Sequence, residues 1–214
     1  MHWDEKRLLA AEVDAIHGLV PGSGDPPTVR DPTVLAVWAW SPRARLLALG
    51  SGVPGEGRAG AAVIEGGPSW VFPACVAVPP APLPVVVSTA EGRRAAQRLI
   101  RPGTWRPGEW GELIGGRLGE WAMAVRGREP VSICHTPAAG ATAAEAGIWT
   151  RPDFRGRGLA PACVAAWSHR ERRNKEVLFY STTDTNHASQ SVARRLGLRR
   201  LGWIWTARQG GAAA

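Results

Sequence analysis

Tyrosine occurs once in the 214 residues, methionine twice, and cysteine and phenylalanine three times each. The cysteines, Cys75, Cys134 and Cys163, are odd in number, widely spaced and set among apolar neighbours. No pair has metal-ligand spacing, so buried free thiols in a reducing compartment are expected, and no metal. Long apolar runs are missing, which excludes a membrane span. The first twenty residues carry Asp4, Glu5, Glu12 and Asp14, an acidic start unlike a secretory signal, and a cytoplasmic protein is expected. There is no internal repeat. What remains is a composition with 44% hydrophobic and 21% charged residues, ordinary for a globular protein. The length suits one well-buried domain or two small halves sharing a core.

Acidic residues become scarce towards the end of the chain. Residues 1–150 hold 14 Lys and Arg against 14 Asp and Glu, whereas residues 151–214 hold 12 against 4, so the whole excess of +8 lies there. A basic segment beside a neutral one points to an anionic partner, either a phosphorylated cofactor or a nucleic acid. A solvated arginine-rich surface would give the same count.

Residues 3–20 have an amphipathic helical period through Leu9, Val13, Ile16 and Val20, ended by the Pro21–Pro27 break. Short strands are expected at 34–40, 45–49, 61–64 and 70–78, with a glycine-rich turn at 50–60. Helices are expected at 89–100 and 109–118. From Glu120 onward, strands at 121–126 and 130–135 flank a Gly127-Arg128 turn, and a small-residue loop at 138–144 precedes a strand at 146–150. A helix follows from Leu159 to about Arg172, with Pro161 tolerated in its first turn. Then come a strand at 177–181, a helix from the Thr185/Asn186 cap to Leu196 stopped by Gly197, and a strand at 201–206. The tail from Gln209 reads as disordered.

The turn Arg155-Gly156-Arg157-Gly158-Leu159-Ala160 lies between a strand and a helix. Glycine there allows close backbone approach to a ligand, and the unpaired N–H groups opening the helix favour a phosphate. A P-loop is excluded because Leu159-Ala160 stands where Lys-Ser/Thr is required. A Rossmann turn fits poorly because Pro161 replaces its third small residue and Glu176 precedes a strand instead of ending one. The pattern Arg-x-x-Gly-x-Gly/Ala after a strand is met at Arg155, Gly158 and Ala160, and it resembles the acetyl-CoA pyrophosphate loop of the GNAT acetyltransferases. The run Asn186-His187-Ala188-Ser189, with Val192-Ala193 and Leu196-Gly197-Leu198, is similar to the family's later signature. Glu145–Phe154 resembles the strand and turn leading into the loop. The resemblance covers about residues 110–207.

It implies an α/β (α+β) fold, a mixed central sheet with flanking helices, and an acyltransferase that moves an acetyl group from acetyl-CoA, as co-substrate, to an amine. By the same resemblance, Gly156, Arg157, Gly158, Leu159 and Ala160 would hold the pyrophosphate through their amides, with Arg155 adding charge. Ile148, Trp149 and Thr150 would pair with the pantetheine amides as an added strand would. Asn186 would hydrogen-bond the pantetheine or a neighbouring strand, with Ser189 completing the small-residue signature; a plain helix cap is the alternative for Asn186. Residues 1–109 form an N-terminal region of one helix and short strands that completes the fold or the acceptor pocket. Residues 110–207 form the core, and 208–214 a flexible tail.

In this superfamily the amine attacks the thioester directly, so a base and an acid are needed but no enzyme nucleophile. The usual acid is a tyrosine seven residues after the asparagine, where this chain has Ala193. Tyr180 on the preceding strand is the candidate acid, with a core role as its alternative. Glu145 is the candidate base, against a solvated loop carboxylate. His135 is a second candidate, against a satisfied structural histidine. Ser181–Asp184 could line the acceptor side or serve the following helix as caps. The tryptophans ahead of the core, among them Trp38, Trp40, Trp70, Trp105, Trp110 and Trp121, suit core packing, an acceptor pocket or a homodimer contact. The second reading is a catalytically silent acyl-CoA-binding sensor or scaffold. Nucleic-acid binding ranks third, because the arginine clusters close helices where cations are expected and aromatic residues for base stacking are sparse. The expected acceptor is a small-molecule or peptide amine, with small amine, aminoglycoside, peptide N-terminus and protein lysine all left open by the residues, and no membrane partner is expected.

Overall fold

Asp4 opens the first helix by accepting the Arg7 amide on Oδ1 at 2.8 Å. That helix, α1 (Glu5–His17), ends where Gly18 adopts φ 67° and returns its N–H to the Asp14 carbonyl, three residues before the expected end. The computed structural model describes residues 3–51 and 62–210. Strands β1 (Thr28–Val29), β2 (Val34–Trp40), β3 (Arg45–Gly50), β4 (Ala62–Val71) and β5 (Val85–Val87) follow. Helices α2 (Ala90–Ala96) and α3 (Pro107–Gly115) come next, then β6 (Trp121–Arg126), β7 (Glu129–Ala139) and β8 (Ala143–Thr150). A 3₁₀ turn at Pro152–Phe154 leads to α4 (Leu159–Glu171), β9 (Val177–Ser181), α5 (His187–Arg195) and β10 (Arg199–Gln209).

All ten strands join one mixed sheet in the order β1-β3-β2-β10-β4-β9-β8-β7-β6-β5. The last strand therefore lies between β2 and β4, both drawn from the first 71 residues. This placement explains why β10 runs on to Gln209, where a tail was expected: each side offers it a partner. Residues 211–214, and most of the expected turn at 50–60, lie outside the described residues.

Two breaks expected from small residues are continuous strand instead. Gly66-Gly67-Pro68 sits inside β4, since a Cβ on Gly66 would fall 2.2 Å from the Ile204 carbonyl oxygen and one on Gly67 2.3 Å from that of Thr182. Gly66 allows the close approach of β10 and Gly67 that of the backbone just after β9, and one strand ending at Val71 replaces the two expected at 61–64 and 70–78, leaving 72–78 outside the strand. Likewise, Ala138↔Glu145 and Ala139↔Ala144 extend the β7–β8 hairpin through the expected loop. The residues are small there because α1 lies close above: a Cβ on Gly140 would meet Asp14 Oδ2 at 2.5 Å.

Alternation along β8 sorts the layers. Ala144 and Ala146 face a core shared with α4 and α5, including Cys163, Trp167 and Tyr180. Ala143 and Trp149 face the other side, where α1 packs over Ala143 and Phe179, and α2 and α3 pack over Trp121, Met123 and Ile133. Trp70, Trp105, Trp110 and Trp121 are buried, whereas Trp38 and Trp40 are 40% and 38% exposed on the open face of β2. Cys134 and Cys163 are buried free thiols, but Cys75 is exposed, because it follows the end of β4 in a segment outside the sheet.

Candidate active site

Strands β8 and β9 run parallel, yet they pair only at Ala143↔Val177, Ala144↔Leu178 and Glu145↔Phe179. Beyond Glu145, β8 keeps its β7 partner, from Cys134↔Ile148 to Ser132↔Thr150, while its β9 side has no strand partner. Backbone amides and carbonyls facing that gap can accept an extended ligand in place of a strand. The gap widens into a cleft of 420 Å³ lined by β8, the loop before α4 and the start of α5.

At its outer end is the glycine turn. Gly156 and Gly158 adopt φ 74° and 78°, and a Cβ on either would meet nothing within 4 Å. The glycines are thus required by backbone conformation and not by crowding from the protein. Gly158 is the residue before α4, whose unpaired N–H groups open toward the cleft with the positive end of the helix dipole. Arg155 borders the cleft and donates from Nε to the Thr150 carbonyl at 3.2 Å.

Ile148, Trp149, Thr150, Gly156, Leu159 and Ala160 line this cleft, as do Arg155, Gly158, Asn186 and Ser189. Arg157 does not. Its guanidinium stacks 4.8 Å from the centre of the Phe154 ring, which Arg151 also covers at 4.4 Å, and it lines a neighbouring hollow with Arg126 and Leu83. Arg195 and Ser191 border the main cleft although sequence reasoning did not single them out. The available signal was the helical step along α5 from Ala188 to Ser191 and from Ser189 through Val192 to Arg195, since residues three and four apart share a helix face.

Asn186 caps α5: its Oδ1 accepts the Ser189 amide at 3.0 Å. Thr185 does not serve as the cap, and Asp184 is held through its backbone, with its amide on the Gly66 carbonyl and its carbonyl accepting from Gln190. The Ser189 hydroxyl and the Tyr180 hydroxyl are 2.6 Å apart. Tyr180 is buried, packs edge-on against Trp70, and is pushed towards its protonated form by burial. It stands behind Ser189, which itself reaches the cleft. Ala193 is fully buried in the core beneath α5 and offers no proton.

Glu145 lies on the opposite face of the sheet, at the point where β8 and β9 part. It is a buried strand residue and not a loop carboxylate. Its Oε1 accepts from the Ser181 amide at 2.5 Å and the Ser181 hydroxyl at 2.9 Å, while burial pushes the carboxyl up to about 7. His135 pairs with Gly147, two residues further along β8. Its ring stacks edge-on with Trp105 at 5.0 Å, its Nδ1 is buried without a partner, and burial lowers it to about 4. At neutral pH it is an uncharged imidazole. Glu145 and His135 thus share one side of the splay, whereas Tyr180 and Ser189 occupy the other.

A family model described as an acetyltransferase (GNAT) domain matches residues 83–199, over half of the chain. The chain belongs to the GNAT acetyltransferase family. That match begins well before residue 110, where the resemblance becomes legible in the sequence, and includes β5, α2 and α3. Among solved structures, this GNAT chain is similar to a GNAT-family protein from Novosphingobium aromaticivorans, at 18% identity and TM-score 0.50, covering 74% of this chain and 71% of that one. It is also similar to a Drosophila protein at 16% identity and TM-score 0.52, covering 72% of this chain and 53% of the other. The GNAT chain therefore spans about half the length of the Drosophila protein. At such identities the likeness is one of fold. Comparison with curated proteins gave no match.

Proposed function

We propose that this GNAT protein transfers an acetyl group from acetyl-CoA to an amine. The observation that carries the proposal is the parting of β8 from β9 directly after Glu145, into a cleft that ends on the Gly156–Gly158 turn. The unpaired edge of Ile148–Thr150 suits the amides of a pantetheine arm, and the amides around Gly158 suit its pyrophosphate. Arg155 and Arg195 bring positive charge to the same cleft. The ammonium form of the acceptor first gives a proton to Glu145, which frees its lone pair. The amine nitrogen then attacks the thioester carbonyl, the C–N bond forms, the C–S bond breaks, and the thiolate leaves with a proton from the Ser189–Tyr180 pair. Loss of the second amine proton completes the amide and restores the acid. His135, neutral and beside Trp105, lines the acceptor side as a hydrogen-bonding group.

Ala193 supports a second reading, a GNAT domain that binds acyl-CoA without turning it over, because the position of the family's usual tyrosine is filled by buried methyl. Two measurements divide these readings. Calorimetry with acetyl-CoA is expected to give micromolar-range affinity for wild type and none for the Arg155→Glu, Gly158→Asp double variant; equal binding by both removes the cleft from the argument. Thiol release with a panel of amines is expected above the hydrolytic background. Binding without release for every amine leaves the silent reading.

A further inference from the structure

Helix α1 lies outside the family-matched segment, yet it buries a carboxyl group against the proposed base. Glu12 is 0% exposed and its Oε1 accepts from the Ser69 hydroxyl. Glu145, 6% exposed, is held in the same manner by Ser181. Ser69 and Ser181 are direct partners across β4 and β9, so the two carboxyl groups hang from neighbouring hydroxyls. In both glutamates the second oxygen, Oε2, is buried and has no hydrogen-bond partner.

Among the described residues, no Lys, Arg or His forms an ion pair with Glu12 or Glu145. From β7 the neighbouring titratable groups are Cys134, whose thiol is pushed up by burial and feels Glu145, and the neutral His135. From β9 there is the protonated Tyr180, and from β4 only the Ser69 hydroxyl. On α1 itself, Asp14 turns back to the Leu19 amide and His17 bonds Thr206 from β10. Two buried carboxylates held by neighbouring serines without a cation do not both ionise; the cost of the second charge forces a proton onto one of them.

We propose that Glu12 and Glu145 hold one proton between them, Glu12 as the neutral acid set beside Glu145 by the Ser69–Ser181 pair, and Glu145 as the carboxylate that receives the acceptor's ammonium proton. This rests on the reading of Glu145 as the base. In the step, an N–H bond of the ammonium breaks, an O–H bond forms on Glu145, and the electron pair stays on nitrogen. The pair is then fully neutral, the state its buried pocket favours, and the proton is afterwards released to solvent. Glu12 and Ser69 would thus make the N-terminal segment part of the proton-handling apparatus, although neither touches the substrate.

The test is carboxyl titration by ¹³C NMR of glutamate-labelled full-length protein, followed from Cδ. In wild type, the Glu145 signal is expected to titrate in two steps more than about one pH unit apart. In Glu12→Gln a single step should remain, and Glu12→Asp should restore two. Should Glu12→Gln fail to fold, Glu145→Gln serves reciprocally, by lowering the Glu12 midpoint by more than about one unit. A single, unshifted Glu145 step in wild type and Glu12→Gln overturns the shared proton. The base reading is judged separately by thiol release. Glu145→Gln is expected to lower kcat/KM about 10²–10⁴-fold with any accepted amine. If it does not, Glu145 is not the base. If it does, while Glu12→Gln moves neither the titration nor the pH–rate profile, only the pairing fails.

Discussion

Replacing Gly158 by alanine separates backbone strain from ligand recognition. Gly158 has φ 78°, in the left-handed region, and an added Cβ would point into space with no protein atom within 4 Å. Steric clash therefore contributes nothing to the cost in the free protein, and the penalty is conformational, about 1–2 kcal/mol for a left-handed alanine. For a chain of this size that lowers Tm by about 2–8 °C. Gly197 is a matched control, with φ 63°, an equally open Cβ position, and a place at the far end of α5, outside the cleft. Its N–H bonds the Arg194 carbonyl at 3.1 Å, the ordinary close of a helix. Differential scanning calorimetry of Gly158→Ala and Gly197→Ala is expected to show similar losses. Titration with acetyl-CoA should distinguish them: Gly197→Ala binds as wild type, while Gly158→Ala loses about tenfold or more in affinity, equivalent to about 1.4 kcal/mol. The loss follows because the new methyl occupies the space in front of the helix amides. Wild-type affinity in Gly158→Ala, with stability reduced, would refute the cradle. An undiminished Tm in Gly197→Ala would refute the strain argument itself.

Four further outcomes follow from the geometry. If Tyr180 supplies its proton through Ser189, then Tyr180→Phe and Ser189→Ala should each lower kcat by about 10²-fold or more, and the double variant no further; additive losses in thiol release would show independent roles. Deleting residues 1–82 should leave a chain without cooperative unfolding by circular dichroism, because both neighbours of β10 are removed; a cooperative melt would contradict this. His17 and His135 are both lowered from 6.5 to about 4, chiefly by burial, so the fold holds them neutral. Their contribution is full above pH 6.5 and is lost as pH falls towards 4, since the unfolded chain takes up protons first. Urea melts should show His17→Gln losing less stability than wild type over that range. Glu145, raised from 4.5 to about 7, has the opposite sign: its contribution is full below 4.5 and is lost on rising through 7, so Glu145→Gln should flatten that side.

Much of the C-terminal half is legible because its signals are local. Gly158 and Gly197 take positive φ where helix α4 begins and α5 ends, Asn186 caps α5, and Pro161 falls in a first turn. Each depends on neighbours within a few residues, so the glycine turn and its flanking strand and helix can be read directly. The side-chain period likewise assigns Leu9 and Val13 to the buried face of α1. Small residues misled wherever their cause lay elsewhere in the chain. Gly66-Gly67 and Ala138–Gly140 resemble loops, yet they are small because backbone distant in sequence or α1 lies against them.

The sequence by itself determined the glycine turn before α4, the order of elements after Glu120 and the absence of a tyrosine at position 193, since these are set by residue type and short spacing. Only the tertiary structure decided that β4 enters between β9 and β10, that Tyr180 stands behind Ser189, and that Glu145 is buried opposite Glu12. Those facts join residues as far apart as positions 12, 69, 145 and 181. Their chemistry depends on exclusion of water and on cross-strand register, which no local pattern of residues encodes.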